Sequence, residues 1–421
     1  MLNFIKRLTR SKFARNIAIV ATGTAGAQAI AMAFSPFITR IYGPEIFGAM
    51  GTFIAILEVI SPLAALSYPM AMVLPKHDSD AKGLAAISLC IALVTSCLAA
   101  LTLILFKTPI VNALNLHSIE TFILIIPVTM FVSVLTTISS QWTIRKKLFS
   151  LKAKSAVFQA LTINILKTGL GLLNPSAFIL VSTTSFGYLL QAALIGIGIR
   201  AHTQERTKRE KSNFAFAGLL KAYKDFAYFR TPQALLNSIG QSLPILMLAN
   251  LFNPAAVGFY VLARTVLFVP SILIGTSVAE VFYPKFVEVI HQGKSGKELL
   301  LKTCLSLAVV GSIPYLVLIM FGPWLFSLIF GSDWQEAGEY SRWMSIWLFF
   351  VLITRPIISA IPALSLQGLF LAFEAASTLV RIAAILIGYY WTNSALSAVI
   401  AFSLSNVIIY TALTILIIRK T

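Results

Sequence analysis

Charged side chains are scarce in this sequence. Lysine, arginine, aspartate and glutamate together make up 11% of its 421 residues, whereas a soluble protein contains about 25% charged residues. Hydrophobic residues make up 58% of the chain. This composition excludes an ordinary soluble protein and indicates a membrane protein.

Residues for metal or nucleophilic chemistry are also few. The three cysteines lie in apolar stretches without CxxC spacing, which is typical of small core residues. The four histidines fall in loops far apart along the chain, although a metal or nucleophilic site needs such residues together. The segments between apolar runs are short, and no GxxxxGK[ST] motif is present. We therefore expect a protein that is not an enzyme and that has no metal site or cofactor. We expect any transport that it performs to be driven by an ion gradient, the membrane potential or consumption of the product.

The sequence contains many long apolar runs. Each is about 20 residues long, enough to cross a bilayer as a helix. The alternating pattern of β-barrel strands is absent, so helices must satisfy the backbone inside the membrane. We predict an all-α polytopic membrane protein with twelve transmembrane helices, at residues 17–38, 46–68, 83–106, 119–140, 153–173, 176–199, 231–251, 255–282, 304–321, 341–365, 367–390 and 394–418.

Two pairs of similar stretches indicate an internal duplication. Tyr42–Gly48 (YGPEIFG) resembles Phe252–Gly258 (FNPAAVG), and Phe106–Leu116 resembles Phe321–Gly331 at nearly the same offset. In a membrane protein, two repeated lobes point to a transporter with its site between them. We predict an N-terminal six-helix lobe at 1–200, a cytoplasmic basic linker at 201–224 that becomes amphipathic from residue 214, and a C-terminal six-helix lobe at 225–421.

The basic residues predict the orientation of these helices. With the N-terminus placed inside, 26 of the 33 lysines and arginines fall on the inner side, and three (Arg40, Lys107 and Arg342) fall outside. Basic residues near helix ends mark the cytoplasmic side, so both termini are predicted to be cytoplasmic. Topology and contact with anionic membrane lipids account for most of the +18 net charge, and nucleic-acid binding is not needed to explain it.

Ionisable residues inside the predicted spans are the functional candidates, because a charge there is costly. At about 1.5 Å per residue, Lys167, Arg264 and Arg381 lie about 10–15 Å from the outer boundary, and Arg355 and Glu58 lie about 20 Å from it. If the four cations face one lumen, that lumen attracts phosphate, which arginine holds with two hydrogen bonds. The candidates are Lys167, Arg264, Arg355, Arg381, Gln28 and Gln241 for substrate binding, and Glu58 and Glu374 for coupling to an ion.

A structural role remains open for the same residues. Glu58 is a possible salt-bridge partner of Arg264, because the second and eighth helices are equivalent under the repeat. Glu374 and Arg381 are seven residues apart and lie on one helical face. Gln28 and Gln241 suit a hydrated cavity, and ordinary hydrogen bonds between helices explain them equally well.

Three segments resemble a known family. They are Thr39–Gly48 (TRIYGPEIFG), Val73–Leu84 (VLPKHDSDAKGL) and Phe321–Trp347, which contains FGPWLFSLIFGSDWQEAG. They are similar to polysaccharide and O-antigen flippases, lipid-linked oligosaccharide flippases of the multidrug/oligosaccharidyl-lipid/polysaccharide exporter superfamily. The resemblance covers essentially the whole chain.

The resemblance implies two pseudo-symmetric six-helix bundles in a V around a central cavity with positive residues. It also implies translocation of an undecaprenyl-pyrophosphate-linked oligosaccharide across the bacterial inner membrane. The expected partners are this lipid-linked oligosaccharide, membrane lipids, a coupling ion (H⁺ or Na⁺) and a polysaccharide polymerase.

Rival functions remain. A multidrug/cation antiporter of the same superfamily favours a carboxylate in the first helix, and residues 17–38 contain none. A flippase for the peptidoglycan lipid precursor often has helices beyond twelve. The duplicated lobes argue against an ion channel, and the short outer loops argue against a polymerising enzyme.

The asymmetry of basic residues yields a topology prediction. In a variant without the native cysteines, a membrane-impermeant thiol reagent applied to intact cells should modify Ser332→Cys and should not modify Thr207→Cys until the cells are permeabilised. Labelling of Thr207→Cys in intact cells would overturn the orientation and the depths that follow from it.

Overall fold

The computed structural model describes residues 12–203, 216–292, 295–364 and 366–420. Its helices are α1 Lys12–Ala64, α2 Tyr68–Ala71, α3 Asp78–Leu114, α4 Ile125–Arg145, α5 Phe149–Leu173, α6 Ala177–Thr203, α7 Phe216–Ala222, α8 Thr231–Leu251, α9 Pro254–His291, α10 Lys297–Phe330, α11 Gln335–Ile353, α12 Arg355–Ala360, α13 Gln367–Thr392 and α14 Ala395–Ile418. Shorter turns are 3-10 helical at His117–Phe122 and Ser332–Trp334 and π-helical at Phe226–Arg230. The predicted all-α class is confirmed.

Within the described residues, ten helices are long and apolar enough to cross a membrane. The first of them, Thr22–Ala64, has 43 residues, and as one straight helix it would be about twice as long as a bilayer core is thick. It is broken at Gly43, whose φ of 66° and ψ of 174° are not helical, so it carries two of the predicted apolar runs. A shorter apolar helix, Pro254–Val269, begins α9. The chain is a multi-pass membrane protein, and the count of twelve spans stays a prediction.

The chain divides into two compact units. Unit 1 comprises Met1–Tyr42 and Ala49–Ser242, and unit 2 comprises Gly43–Gly48 and Leu243–Thr421. Six residues at the break in α1, Gly43–Gly48, therefore belong to unit 2. The chain passes from unit 1 to unit 2 a second time within α8, between Ser242 and Leu243. The lobe boundaries inferred from the sequence stay a prediction.

Described residues of unit 1 form two apolar clusters. The larger joins the second half of α1 to α3 and α4 through side chains such as Phe53, Ile119 and Met130, each at most 3% exposed. The smaller lies around α2 and the start of α3 and includes Leu219 of α7, which is 2% exposed. The hydroxyl of Tyr68 donates to the carbonyl of Leu220 at 3.3 Å. Part of the predicted linker is thus docked on unit 1, while residues 204–215 of that linker lie outside the described residues.

The two repeated motifs of the sequence meet in unit 2. A Cβ atom added at Gly48 would overlap the carbonyl oxygen of Pro254, and a Cβ atom added at Gly258 would overlap the carbonyl oxygen of Pro44. Each glycine therefore lies against the proline of the other motif. This reciprocal contact is the arrangement that a twofold relation between the repeats would produce, and only glycine permits such a close backbone approach.

Aromatic rings surround this crossing of the two motifs. The indole of Trp334 is 1% exposed. Its ring centroid lies 5.4 Å from that of Phe47 and 6.0 Å from that of Phe259, both edge to face. Phe47 directly precedes Gly48 and Phe259 directly follows Gly258, so Trp334 packs against both motifs. Edge-to-face pairs add stability beyond the burial of their area.

A valine at Gly48 tests the crossing. Gly48→Val should lower the thermal unfolding midpoint in detergent, because the overlapping atoms are backbone and cannot rotate away; overpacking of this kind costs about 1–3 kcal/mol. Gly169→Val in α5 is the matched control, since a Cβ there meets no atom within 4 Å. Equal midpoints for the two variants would contradict the close approach.

Candidate functional site in unit 2

Four of the predicted site residues lie in unit 2. Arg264 is on α9, Arg355 begins α12, and Glu374 and Arg381 are on α13. We call this set, three arginines and one glutamate, the arginine cluster. The helices that carry Arg355, Glu374 and Arg381 pack with the second half of α9 around Phe282, Ile357 and Leu413.

Arg381 is at the centre of the cluster and is 5% exposed. One terminal nitrogen of its guanidinium donates to Oε1 of Glu374 at 2.7 Å, and its Nε donates to Oδ1 of Asn406 at 3.0 Å. Asn406, itself 1% exposed, donates from Nδ2 to the carbonyl of Phe402 at 2.8 Å. The seven-residue spacing of Glu374 and Arg381 therefore does form an ion pair.

Two tyrosines connect this ion pair to the other arginines. The hydroxyl of Tyr410 on α14 interacts electrostatically with Arg381, Glu374 and Arg355. The hydroxyl of Tyr260 on α9 does so with Arg264 and Arg381. All members of the arginine cluster therefore lie within electrostatic range of one of two phenols. Among the described side chains, the cluster has three guanidinium groups and one carboxylate, which pairs with Arg381, so its formal charge is positive.

Arg264 and Arg355 are half-buried, and the described residues do not use all of their hydrogen-bond donors. Among the described residues, Nε of Arg355 is inaccessible and has no hydrogen-bond partner. The guanidinium carbon of Arg264 lies 5.4 Å from the ring centroid of Phe268, a cation–π geometry that leaves the N–H groups at the guanidinium edge for other acceptors. Buried donors without partners are costly, so an anion in this region would be stabilised.

The other four predicted residues lie in unit 1. The Oε2 atom of Glu58, an exposed residue, accepts from the hydroxyl of the buried Ser242 at 3.2 Å, which brings Glu58 beside α8 and its exposed Gln241. The carboxylate also interacts electrostatically with Tyr188. Lys167 is half-buried, and its carbonyl accepts from the hydroxyl of Tyr42 at 2.7 Å.

Gln28 is exposed on α1. No contact among the described residues joins its side chain or that of Lys167 to the other predicted residues. The pairing of Glu58 with Arg264 involves both units and stays a prediction, as does a single cavity lined by all eight residues. The described residues also contain no group of three histidine, cysteine, aspartate or glutamate side chains that could hold a metal ion.

Sequence reasoning missed five members of these networks. They are Tyr188, Ser242, Asn406, Tyr260 and Tyr410. Asn406 carried a usable signal, since an amide inside an apolar span is costly unless it is bonded. Tyr260 lies four residues before Arg264, on the same helical face. Serine and tyrosine are too common in membrane helices to stand out.

The chain is an all-helical membrane protein with a transporter fold. It belongs to the family of polysaccharide biosynthesis proteins, which matches residues 37–339. A search of curated protein sequences found no match. The family assignment confirms the resemblance inferred from the sequence.

Solved transporter structures share the fold at low identity. The lipid II flippase MurJ in an inward closed conformation gives a TM-score of 0.72 at 14% identity, over 94% of this chain and 87% of that one. An inward-facing multidrug resistance MATE family transporter of the MOP superfamily gives 0.69 at 14% identity, over 94% and 96%. The Vibrio cholerae MATE transporter VcmN in the bent form gives 0.58 at 16% identity, over 99% and 97%. At such identities the likeness establishes the fold alone.

The bonds of Asn406 yield a stability prediction. Asn406→Leu removes an acceptor from the buried Arg381, and a hydrogen bond to a charged group contributes about 1.5–3 kcal/mol. Its thermal midpoint in detergent should therefore fall more than that of Asn164→Leu. Asn164 is the matched control because its buried amide bonds to the carbonyl of Ala160 in its own helix. A larger loss for Asn164→Leu would contradict the support that Asn406 gives to Arg381.

Proposed function

We propose that this protein is a flippase for undecaprenyl-pyrophosphate-linked oligosaccharide repeat units. It moves them from the inner to the outer leaflet of the bacterial inner membrane, for O-antigen, capsule or exopolysaccharide biosynthesis. The observation that carries the proposal is the arginine cluster, with its excess positive charge inside membrane-spanning helices. Membership of the polysaccharide biosynthesis family and the shared transporter fold support it.

The chemistry of the cluster suits a diphosphate. Guanidinium groups bind phosphate through paired N–H donors, and these charge-assisted hydrogen bonds are stronger than neutral ones. Among the described residues, Nε of Arg355 has no acceptor, Arg264 contacts the ring of Phe268, and Arg381 is held in place by Asn406. The diphosphate therefore binds at the cluster, with its oligosaccharide in an aqueous cavity.

The physical problem of the reaction explains why a protein is needed. A sugar or diphosphate cannot cross hydrocarbon unaided, since each unpaired polar group costs several kcal/mol there. A polar cavity replaces the lost water, while the polyprenyl tail remains in the bilayer. Alternating access then carries the head group from the cytoplasmic to the outer side, with both termini of the protein in the cytoplasm.

Coupling to an ion falls to one of two carboxylates. Glu374 already has an internal cation, because it is paired with Arg381. Glu58 is exposed and accepts a hydrogen bond from a neutral hydroxyl. Glu58 is therefore the better candidate for binding H⁺ or Na⁺ during the cycle. Consumption of the product by a polysaccharide polymerase would supply a further driving force.

Two other functions compete with this one. A multidrug/cation antiporter would need an anionic site, and the excess positive charge of the arginine cluster opposes that. A peptidoglycan lipid-precursor flippase would bind the same diphosphate chemistry. The family match to polysaccharide biosynthesis favours a polysaccharide precursor over the peptidoglycan one.

Removal of one arginine tests the function in cells. Arg264→Ala should abolish complementation of a strain that lacks its polysaccharide flippase, while the protein still reaches the membrane. Arg264→Lys should retain part of the activity, since the charge survives and the paired donors are lost. The readout is surface polysaccharide, with membrane content of the variant measured in parallel.

Arg342→Ala is the matched control, because Arg342 pairs with Glu339 at 3.1 Å outside the cluster. It should complement as well as the unmodified protein. Full complementation by Arg264→Ala would show that Arg264 does not bind the substrate. Recovery of function on adding Glu58→Ala to Arg264→Ala would instead favour an ion pair between these two residues.

A further inference from the structure

Arg381 differs from the other arginines of the cluster because it already has an anionic partner. Glu374 lies seven residues earlier on α13, two helical turns away, and its Oε1 accepts from the guanidinium at 2.7 Å. Side chains on a helix point toward its N-terminus, so Arg381 naturally reaches back toward Glu374. The carboxylate therefore occupies a position on Arg381 that an anionic ligand would otherwise take.

The two partners are held very differently. The side chain of Arg381 is 6% exposed and that of Glu374 is 44% exposed. Asn406, which is buried, fixes Nε of Arg381. No side-chain hydrogen bond other than that with Arg381 is made by the Glu374 carboxylate in the described part of the chain. The half-exposed carboxylate has space to swing away from Arg381, whereas the guanidinium is enclosed by its neighbours and fixed by Asn406. Glu374 is thus the displaceable member of the pair.

The charges of the cluster point to a particular ligand class. With Glu374 displaced, the three guanidinium groups of the cluster are left without their carboxylate. A diphosphate esterified at both ends has one ionised oxygen on each phosphorus, and so carries two negative charges. It therefore neutralises more of the cluster than a diester of a single phosphate, which carries only one charge.

We propose that Glu374 is an internal substitute for a phosphate oxygen on Arg381, displaced when a doubly esterified diphosphate binds and restored when it leaves. This inference rests on the proposed function, since it assumes that the arginine cluster binds the diphosphate. Without Glu374, release of the ligand would leave Arg381 buried and unpaired, which is strongly destabilising. Glu374 therefore lowers the affinity of the cluster and speeds release.

Binding to purified protein tests this role. The probe is P1-geranyl-P2-glucosyl diphosphate, a short-chain doubly esterified diphosphate, titrated by calorimetry into the full-length protein in detergent. Glu374→Gln has nearly the same shape and no charge, so it removes the competitor. Its dissociation constant should fall about five- to tenfold, while transport in cells should slow because release is slower. Arg381→Gln should lose measurable binding.

Glu339→Gln is the matched control, because Glu339 pairs with Arg342 away from the cluster, and it should leave the affinity unchanged. Geranyl glucosyl monophosphate should bind at least tenfold more weakly than the diphosphate probe. Unchanged or weaker binding of the diphosphate by Glu374→Gln would overturn the displacement by Glu374 and leave the proposed function standing. Absence of diphosphate binding by the unmodified protein would instead overturn the proposed function, and the inference with it.

Discussion

The constraint on which this structure depends is the absence of water around the membrane-spanning segments. A guanidinium group in such a segment must find its hydrogen-bond acceptors within the protein or in a ligand. Arg381 has the carboxylate of Glu374 and the amide oxygen of Asn406 as acceptors, and it also interacts with the hydroxyl of Tyr410. The bond to Asn406 connects α13 to α14, while Tyr260 and Tyr410 interact electrostatically with Arg264 and Arg355, respectively. The polar network of unit 2 therefore stabilises the packing of its helices, but among the described residues it lacks an acceptor for Nε of Arg355.

The missing acceptor connects the fold to the proposed function, because an anionic ligand can provide one. A cluster built only for stability would balance its charges, because unpaired buried charge is costly. Among the described side chains of the cluster, three arginines are accompanied by one carboxylate, which pairs with Arg381, and a buried Nε of Arg355 has no partner. An anion that enters the cluster supplies the missing acceptors. The exchange of Glu374 for such an anion would let the same site bind its ligand and then release it.

The fold was largely predictable from the sequence because hydrophobic run length reports directly on membrane spans. The runs 17–38 and 46–68 stop on either side of Gly43, and the helix breaks at that residue. The similarity of Pro44–Gly48 to Pro254–Gly258 could be seen in the sequence. The contact of each glycine with the proline of the other motif could not, because it depends on how two helices cross.

The site was predictable only in part. Rarity of charge in apolar spans identified every charged member of the arginine cluster, and helical periodicity indicated the pair Glu374 and Arg381. Periodicity along one helix says nothing of partners on another helix, so Asn406 and Tyr410 could not be assigned to Arg381 from the sequence. Sequence position also does not report how α8 packs, so it did not place Gln241 in unit 1.

The central claim is that this protein moves a lipid-linked oligosaccharide diphosphate across a bilayer. Its most direct test is translocation by the purified protein in liposomes that hold a fluorescently labelled undecaprenyl-diphosphate oligosaccharide. A membrane-impermeant reductant added outside should bleach the labelled lipid of the outer leaflet at once. With the protein present, the inner pool should then be bleached over time, whereas protein-free vesicles should retain it. Equal retention of the inner pool with and without the protein, under an imposed ion gradient as well as without one, would contradict the account.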